Sequence, residues 1–575
     1  MKNYRPLPVG IDDFRDIIEK GYYYVDKTLF IRELLDKKGS VNLFMRPRRF
    51  GKTLALSMIK YYFEEAFDLK GNPVDYSGLF SGLKIMRTPE CYQKMMGRYP
   101  VIFLTLKSAR QENFSMAYTM IVREIADEFK RHRYITGSAA LSEEEKRRYN
   151  KICDEQSDMA LIYDALKFLS QCLYKVYEKK TIILIDEYDV PLENAYFCLF
   201  YDKMTMFVRS LFESALKSNP YLEFSVITGC LRISKESIFT GLNNLNMLSV
   251  LNNMYSEYFG FTQKEVDEAL LFYNRESHRE TVRAWYDGYM FGETEVYNPW
   301  SVIKYIQDAA ENENCSPVPY WANTSSNRIV KVLVEHADVS AREEIERLIE
   351  GGTIEKAVHE EITYDEVEKN EDSLWNFLFF TGYLKKTAVF MEGRNLKVRL
   401  GLPNEEIKYI YENIITGWFQ ECMRKEDLSP LYRALEEQNC MLVGKIISSC
   451  LFRTISFYDY AENFYHGFML GVLSQAGEYI VKSNREAGNG RADIIMRSPS
   501  RHGFAIIFEL KIAETIDGLK EACEKGLRQI DERGYAKELA EDGYRQIRKY
   551  AVAFYKKDCE VMCPEDKEQI FDKDC

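Results

Sequence analysis

Four short apolar runs punctuate the first half of the chain: VNLFM at 41–45, VIFLTL at 101–106, TIILID at 181–186 and FSVITG at 224–229. A strand buried on both faces reads as such a run. The stretches between them have helical period. Residues 1 to about 255 are therefore expected to form a three-layer α/β unit around a parallel sheet. The interval 108–180 is longer than a simple crossover and rich in charge, which predicts inserted or extended helices. From FGFTQKEVDEAL onward the pattern turns helical, with Thr262 and Glu265 spaced as a capping box. Residues 310–450 read as helical by period and charge, with LWNFLFFTGYL a buried helix ending in a turn at Gly382. Near the end, ENFYHGFMLGVL predicts a helix. DIIM and AIIFELK, joined by the turn RSPSRHG, predict a hairpin. YAVAFY would add a further strand.

Candidate chemistry sits at the ends of these runs. RPRRFGKT, residues 46–53, follows the first strand and precedes a helix, as a phosphate-binding loop does. Arg46 stands where the general pattern has glycine. Gly51, Lys52 and Thr53 form the working end, and Arg46 and Arg49 join the candidate ATP-binding set. Lys52 would reach terminal phosphates from a solvent-facing loop, and the Thr53 hydroxyl would ligate Mg²⁺. A plain basic turn is the other reading. In TIILIDEYD, Asp186 would hold Mg²⁺ and Glu187 would deprotonate the attacking water, with Asp189 in the turn; a buried strand ending in acids also fits. Thr228 could sense a γ-phosphate. Arg232 could stabilise transferring charge or pair with Glu236 along a helix. Tyr22, Tyr23 and Tyr24 could stack on adenine, although core packing is the commoner use of such rings. Trp285, Tyr289 and Trp300 read as packing anchors.

The C-terminal hairpin carries a second constellation. Glu509 and Lys511 are two apart on a strand and share a face, and Asp493 begins the partner strand. Two carboxylates suit Mg²⁺, and Lys511 would orient the attacking water and offset charge on a scissile phosphate. His466, on the leading helix, reads as structural. Alternating charge on a solvent face would account for the same residues.

Taken together, VGIDDFRDIIEKGYYYVDKTLFIREL, RPRRFGKTL, LIDEYDVPL and TGCLRISKESIFTGLNN resemble the bacterial AAA-ATPase-like proteins that carry a C-terminal PD-(D/E)xK nuclease-superfamily domain. The resemblance implies an ATPase core in which an Arg at position 46 is normal. It implies a restriction-endonuclease-like domain with Asp493 as first acid and Glu509-Leu510-Lys511 as ExK, although Ala492 stands where the motif has proline. It further implies a metal-binding role for Glu462, a site glutamine at Gln529 with Tyr535 beyond it, and a lid or small helical domain around WYDGY and VYNPWSV. It fixes no biological role.

A length of 575 residues exceeds one core. The expected division is an AAA-ATPase-like domain at 1–255, a helical lid and linker at 256–450, and a nuclease-like domain at 451–575. No run of 18 apolar residues predicts a membrane span, and MKNYRPLPVGIDDF lacks a signal-peptide core. Thirteen scattered cysteines without a C-x-x-C pair argue for reduced thiols and a cytoplasmic setting. A net charge of −12 argues against coating nucleic acid through the whole surface, but a local groove is compatible with it. The expected cofactors are ATP and Mg²⁺. The expected partner is nucleic acid, DNA foremost, at the C-terminal domain, with oligomerisation left open. Three functions compete: an ATP-regulated metal-dependent nuclease, a nucleotide-driven switch whose nuclease-like domain only binds, and a translocating motor, for which no ring-forming arginine is identifiable.

Overall fold

The computed structural model describes residues 5–68, 71–156, 158–217, 219–231, 238–239, 243–321, 339–358, 371–412, 427–453, 462–475, 479–483, 493–501 and 503–564. The chain forms two compact units, Met1–Leu333 with Thr353–Ile410, and Val334–Gly352 with Tyr411–Cys575. The span 256–450, read from sequence as one region, is divided between them.

The first unit is built on five parallel strands: β1 (Val41–Met45), β2 (Val101–Thr105), β3 (Thr181–Asp186), β4 (Leu222–Gly229) and β5 (Leu245–Leu248). Their spatial order is β2-β3-β4-β1-β5. β1 and β3 are buried at every residue, as their apolar runs require. The four expected strands are all present. β5, the sequence LNML, is four residues long and interrupted by Asn246, so it offers no apolar run to read. β4 lies between β1 and β3, which sets Thr228 beside Phe44 on one side. On the other side Ile227 pairs with Ile185, which places Thr228 next to Asp186.

At β2 charged side chains of a helix blunt the exposed ladder of an edge strand, and at β5 an arginine after β1 bonds the last carbonyl. On β2, helix α2 (Phe114–Arg131) supplies Glu128, whose carboxylate accepts from Phe103 N at 2.8 Å. Arg131 of the same helix donates to Val101 O at 2.6 Å and is held by Glu128 and Glu64. On β5, Arg46 donates to Leu248 O at 2.8 Å.

The helix α1 (Lys52–Phe63) follows β1, and α3 (Val190–Phe197) follows β3. Thr262 and Glu265 form the expected capping box on the helix Gln263–Phe272. Asn298 caps α4 (Pro299–Glu311), accepting from Trp300 N at 3.0 Å. The region expected to be helical also holds a three-stranded antiparallel sheet: β6 (Ile354–Ala357), β7 (Lys385–Glu392) and β8 (Asn395–Gly401), in the order β6-β8-β7. Its hairpin turns at Gly393-Arg394, and the alternation in KKTAVFMEGRNLKVRL is a strand signal that the helical reading passed over. Helix α5 (Glu371–Phe380) is buried and ends at Gly382, as expected.

The second unit contains α6 (Glu462–Leu473) and a sheet in the order of strands β9 (Ile480–Ser483), β10 (Ile494–Arg497), β11 (Phe504–Ile512), β12 (Gln546–Tyr555) and β13 (Asp558–Met562). β11 and β12 are parallel and the other pairs antiparallel. The parallel pair needs a crossover, and α7 (Leu519–Arg533) supplies it.

One buried acid in the first unit makes a measurable prediction. Glu406 has no exposed surface and accepts from both Ser301 Oγ on α4, at 2.9–3.0 Å, and Trp321 N at 2.8 Å. Burial pushes its carboxyl up to about 7, against the pull of these hydrogen bonds. The folded state then holds a proton that the unfolded chain releases near 4.5. Stability from this group is fully present below that value and declines as pH rises to about 7, by about 3 kcal/mol. Glu406→Gln should flatten this part of the Tm-against-pH curve. An unchanged slope would assign the dependence to other groups.

Candidate functional site

In the first unit the carboxyl ends of the parallel strands converge, which is where open α/β sheets bind ligands. The loop after β1 turns left-handed at Arg49 (φ 71°) and again at Gly51 (φ 80°), the residue that caps α1. Glycine adopts that conformation freely, whereas arginine is strained in it. Changes of hand of this kind make anion-binding concavities from successive N–H groups, and α1 adds its own unbonded first turn.

Lys52 opens α1 and is buried, with 5% of its surface exposed. The solvent-facing placement expected for it is therefore wrong. Its ammonium donates to the carbonyls of Arg46 (3.0 Å) and Pro47 (2.9 Å), so the loop curls over its own lysine. Thr53 Oγ1 donates to Asp186 Oδ2 at 2.8 Å, and Thr228 Oγ1 donates to Asp186 Oδ1 at 2.6 Å. Three residues read from three separate segments thus meet in one hydrogen-bonded chain. Burial raises the Asp186 carboxyl above its ordinary value, while Thr228 and Thr53 draw it back. The donors are all oxygen, which suits a hard cation such as Mg²⁺. Glu187, the next residue, is half-buried with φ 52° and faces the same space.

That space is a cleft of about 510 Å³, lined by Gly51, Lys52, Thr53 and Glu187 at one end. Its volume falls in the range of ordinary ligand pockets. Apolar walls come from the N-terminal segment, including Ile11, Tyr24 and Val25, and from Phe261 and Ile303. Tyr23 also lines it, so two of the three tyrosines reach the cleft. Trp300, read as a packing anchor, is a cleft residue, with the Arg49 guanidinium 4.1 Å from its ring centroid. Tyr289 is an anchor as expected, buried 5.0 Å from the Phe50 ring, and Trp285 packs on the cluster around Tyr286.

Arg46 corrects the sequence reading. It has no exposed surface, donates to Met45 O and Leu248 O, and lies within 5.0–5.4 Å of the Phe291 and Phe259 rings. It does not line the cleft; it joins two strands and packs beneath the loop. Burial lowers its guanidinium to about 9. Arg232 and Glu236 lie outside the described residues.

Sequence reasoning missed Arg48, Arg110, Glu193 and the role of Asp189. Asp189 is buried and accepts from Cys230 N (2.7 Å) and Leu231 N (3.1 Å), pinning the chain as it leaves β4. Glu193 on α3 holds both Arg48 and Arg110, and both arginines line the cleft. Arg48 lay within the motif itself, but nothing local marked Arg110 or Glu193.

The second unit brings its expected residues together too. The β10–β11 register pairs Ile494 with Phe508, so Asp493 falls opposite Glu509. Asp493 Oδ2 accepts from Leu510 N at 2.9 Å, and Lys511 Nζ donates to Glu509 Oε1 at 2.9 Å. Glu509 is 1% exposed. His466 Nε2 lies 3.0 Å from the Asp493 carbonyl, which fits its structural reading. A Cβ at Gly526 of α7 would lie 2.9 Å from Ala551 Cβ and 3.6–3.7 Å from Lys511 and Glu509. This glycine lets α7 lie on the ExK strand, and Gln529, half-buried, follows on the same helix face. Tyr535 is a core residue, clustered with Ala505, Ile507 and Ile530. Glu462 is the first residue of α6; its side chain lies outside the described set. Among the described residues, no group of three or more His, Cys, Asp and Glu is placed to hold a metal.

Comparison with known proteins agrees with this geometry. Residues 8–239 match a family model described as predicted AAA-ATPase, and residues 460–563 match the PD-(D/E)XK nuclease superfamily. The chain is similar to a protein of Azotobacter chroococcum mcd 1 described as an uncharacterized protein in the vnfD 5′ region, 25% identical over 92% of this chain and 93% of that one. No solved structure matches. An AAA-ATPase-like domain and a C-terminal PD-(D/E)XK domain are therefore present, as the resemblance implied.

The placement of Lys52 changes what its removal should do. Lys52→Ala is expected to abolish tight nucleotide binding and also to lower stability by about 1–3 kcal/mol, because two inward carbonyls lose their donor. Calorimetric titration with ATP and a thermal melt test the two effects. Wild-type affinity in this variant would reject the loop as the phosphate site.

Proposed function

We propose that the first domain binds ATP with Mg²⁺ and hydrolyses it, and that the second cleaves phosphodiester bonds of nucleic acid, DNA foremost, under control of the ATP state. The observation that carries the first part is the Thr53–Asp186–Thr228 hydrogen-bonded chain, buried behind a nucleotide-sized cleft that Thr53 lines. A magnesium ion held by the Thr53 hydroxyl and the Asp186 carboxylate would withdraw charge from the phosphates. Lys52, already surrounded by loop carbonyls, exchanges them for phosphate oxygens. Thr228 keeps Asp186 in orientation, and Glu187 takes the proton of the attacking water. Gly51 and Arg49 shape the loop. The residues between 258 and 303 that wall the cleft support a lid role for the start of the region after 255.

The second part rests on Asp493 and Glu509 meeting across one hairpin with Lys511 beside them. The two acids would hold a divalent ion, to which Glu462 is positioned in sequence to contribute. Lys511 and Gln529 orient the attacking water and the scissile phosphate. Among the described residues no helix is long and apolar enough to cross a membrane. The net charge of −12 favours one other function, a nucleotide-dependent switch whose C-terminal domain binds a partner without cutting.

Purified protein incubated with linear, circular and single-stranded DNA and with RNA, with and without ATP and Mg²⁺ or Mn²⁺, decides between the two. Metal-dependent cleavage is expected, and Asp493→Ala, Glu509→Ala and Lys511→Ala should each remove it while ATP binding persists. Cleavage by none of the preparations leaves the switch. In the same preparations Glu187→Gln should bind ATP and turn it over at least about a hundredfold more slowly, the usual loss with a general base. Normal turnover would make Glu187 structural.

A further inference from the structure

Two cleft arginines converge on one buried acid. Glu193 lies on α3, six positions after Glu187, with 8% of its side chain exposed. Each of its oxygens takes a different arginine. Arg48 Nη2, from the loop after β1, bonds to Oε2. Arg110 Nη2, from the turn beyond the carboxyl end of β2, bonds to Oε1 at 3.1 Å. Both line the cleft with Lys52 and Glu187. The group therefore joins three strand ends: β1 through Arg48, β2 through Arg110, and β3 through α3.

Charge explains why this is more than a structural clamp. Two guanidiniums share one carboxylate and line the cleft together with Lys52 and the loop after β1, the candidate phosphate site. A buried carboxylate needs a cation to offset its desolvation, and Arg48, at 27% side-chain exposure, meets that need. Arg110 is 42% exposed and lines the cleft, so its guanidinium reaches that space while bonded to the buried Glu193. Its fork can exchange Glu193 for a phosphate, a geometry that guanidinium matches bidentately.

We propose that Arg48 and Arg110 are the cations that meet the terminal phosphate of ATP, with Glu193 as the positioning residue that holds them ready, so that the chain hydrolyses ATP without an arginine from a second copy. The inference rests on the ATPase reading above. It assigns to two residues within the cleft the charge-stabilising role for which the sequence offered Arg232.

The test is steady-state hydrolysis together with calorimetric binding of ADP and of the slowly hydrolysed analogue ATPγS. Arg110→Ala, at the more exposed position, and Arg48→Gln, which keeps a polar side chain beside Glu193, should both fold. Each should retain ADP affinity within about threefold and lose tightness for ATPγS. Each should also lower kcat about a hundredfold or more, the scale of a lost arginine finger. Glu193→Gln should lower kcat while leaving KM and ADP affinity unchanged, a split that a merely structural role would not give. Wild-type turnover per chain should stay constant over about a hundredfold range of protein concentration. Near-wild-type kcat in both arginine variants, equal loss of ADP and ATPγS binding, or turnover that rises with concentration would each overturn the inference. Absence of ATP binding by the wild-type chain would overturn the ATPase reading with it.

Discussion

The first unit depends on one carboxylate. Asp186 ends the fully buried strand β3 with no exposed surface, where an isolated charge would be costly. Two hydroxyls make it tolerable, Thr53 from the first turn of α1 and Thr228 from β4. Each link requires the sheet order. With β4 between β1 and β3, the loop of β1 and the acid of β3 are one strand apart. Thr228 keeps the acid oriented while Thr53 reaches it from above. An order that placed β1 directly beside β3 would leave no strand to carry Thr228. The topology thus sets the geometry of the site before any side chain of the cleft is considered.

Two residues near that carboxylate, Arg49 and Glu187, adopt left-handed φ and line the cleft, and neither is glycine. Such conformations cost of order 1–3 kcal/mol and persist where surrounding structure over-determines them. Here the surroundings are identifiable. The loop is fixed at its base by Arg46 and Lys52, both buried and both bonded to backbone carbonyls. The turn after β3 is fixed by Asp189, bonded to the chain leaving β4, and by the Tyr188 hydroxyl donating to Leu231 O. Residues that look like ligands in the motif act as its foundation.

This explains what the sequence could and could not disclose. The strands β1 to β4 were legible because burial keeps most of their residues apolar in short continuous runs. Gly51, Lys52, Thr53, Asp186 and Glu187 were legible because phosphate binding needs those types at a strand end. Arg46 misled because a basic loop residue reads the same whether it faces phosphate or a carbonyl. Trp300 misled because an aromatic that walls a cleft and one that fills a core follow the same local pattern. Arg110 and Glu193 were invisible because their partnership spans 83 residues and exists only once β2 and α3 stand side by side. The hairpin of β7 and β8 was missed because the charged residues around it suggested helix.

The two sites differ in how they are encoded, and that difference bears on how each can vary. The C-terminal constellation is nearly local: Asp493, Glu509 and Lys511 lie within one hairpin, and a single register, Ile494 against Phe508, sets them face to face. A one-residue slip would turn the pair to opposite faces, so register alone specifies the site. A distant residue it also needs is Gly526, whose missing side chain lets α7 lie against the same strand. The cleft of the first unit is assembled from the ends of three strands, the N-terminal segment, residues 258–261 and α4, and no single element specifies it. A compact site of the first kind survives as a motif that can be read by eye. A dispersed one survives as a topology, in which residues such as Glu193 matter through what they hold rather than through what they are near in sequence.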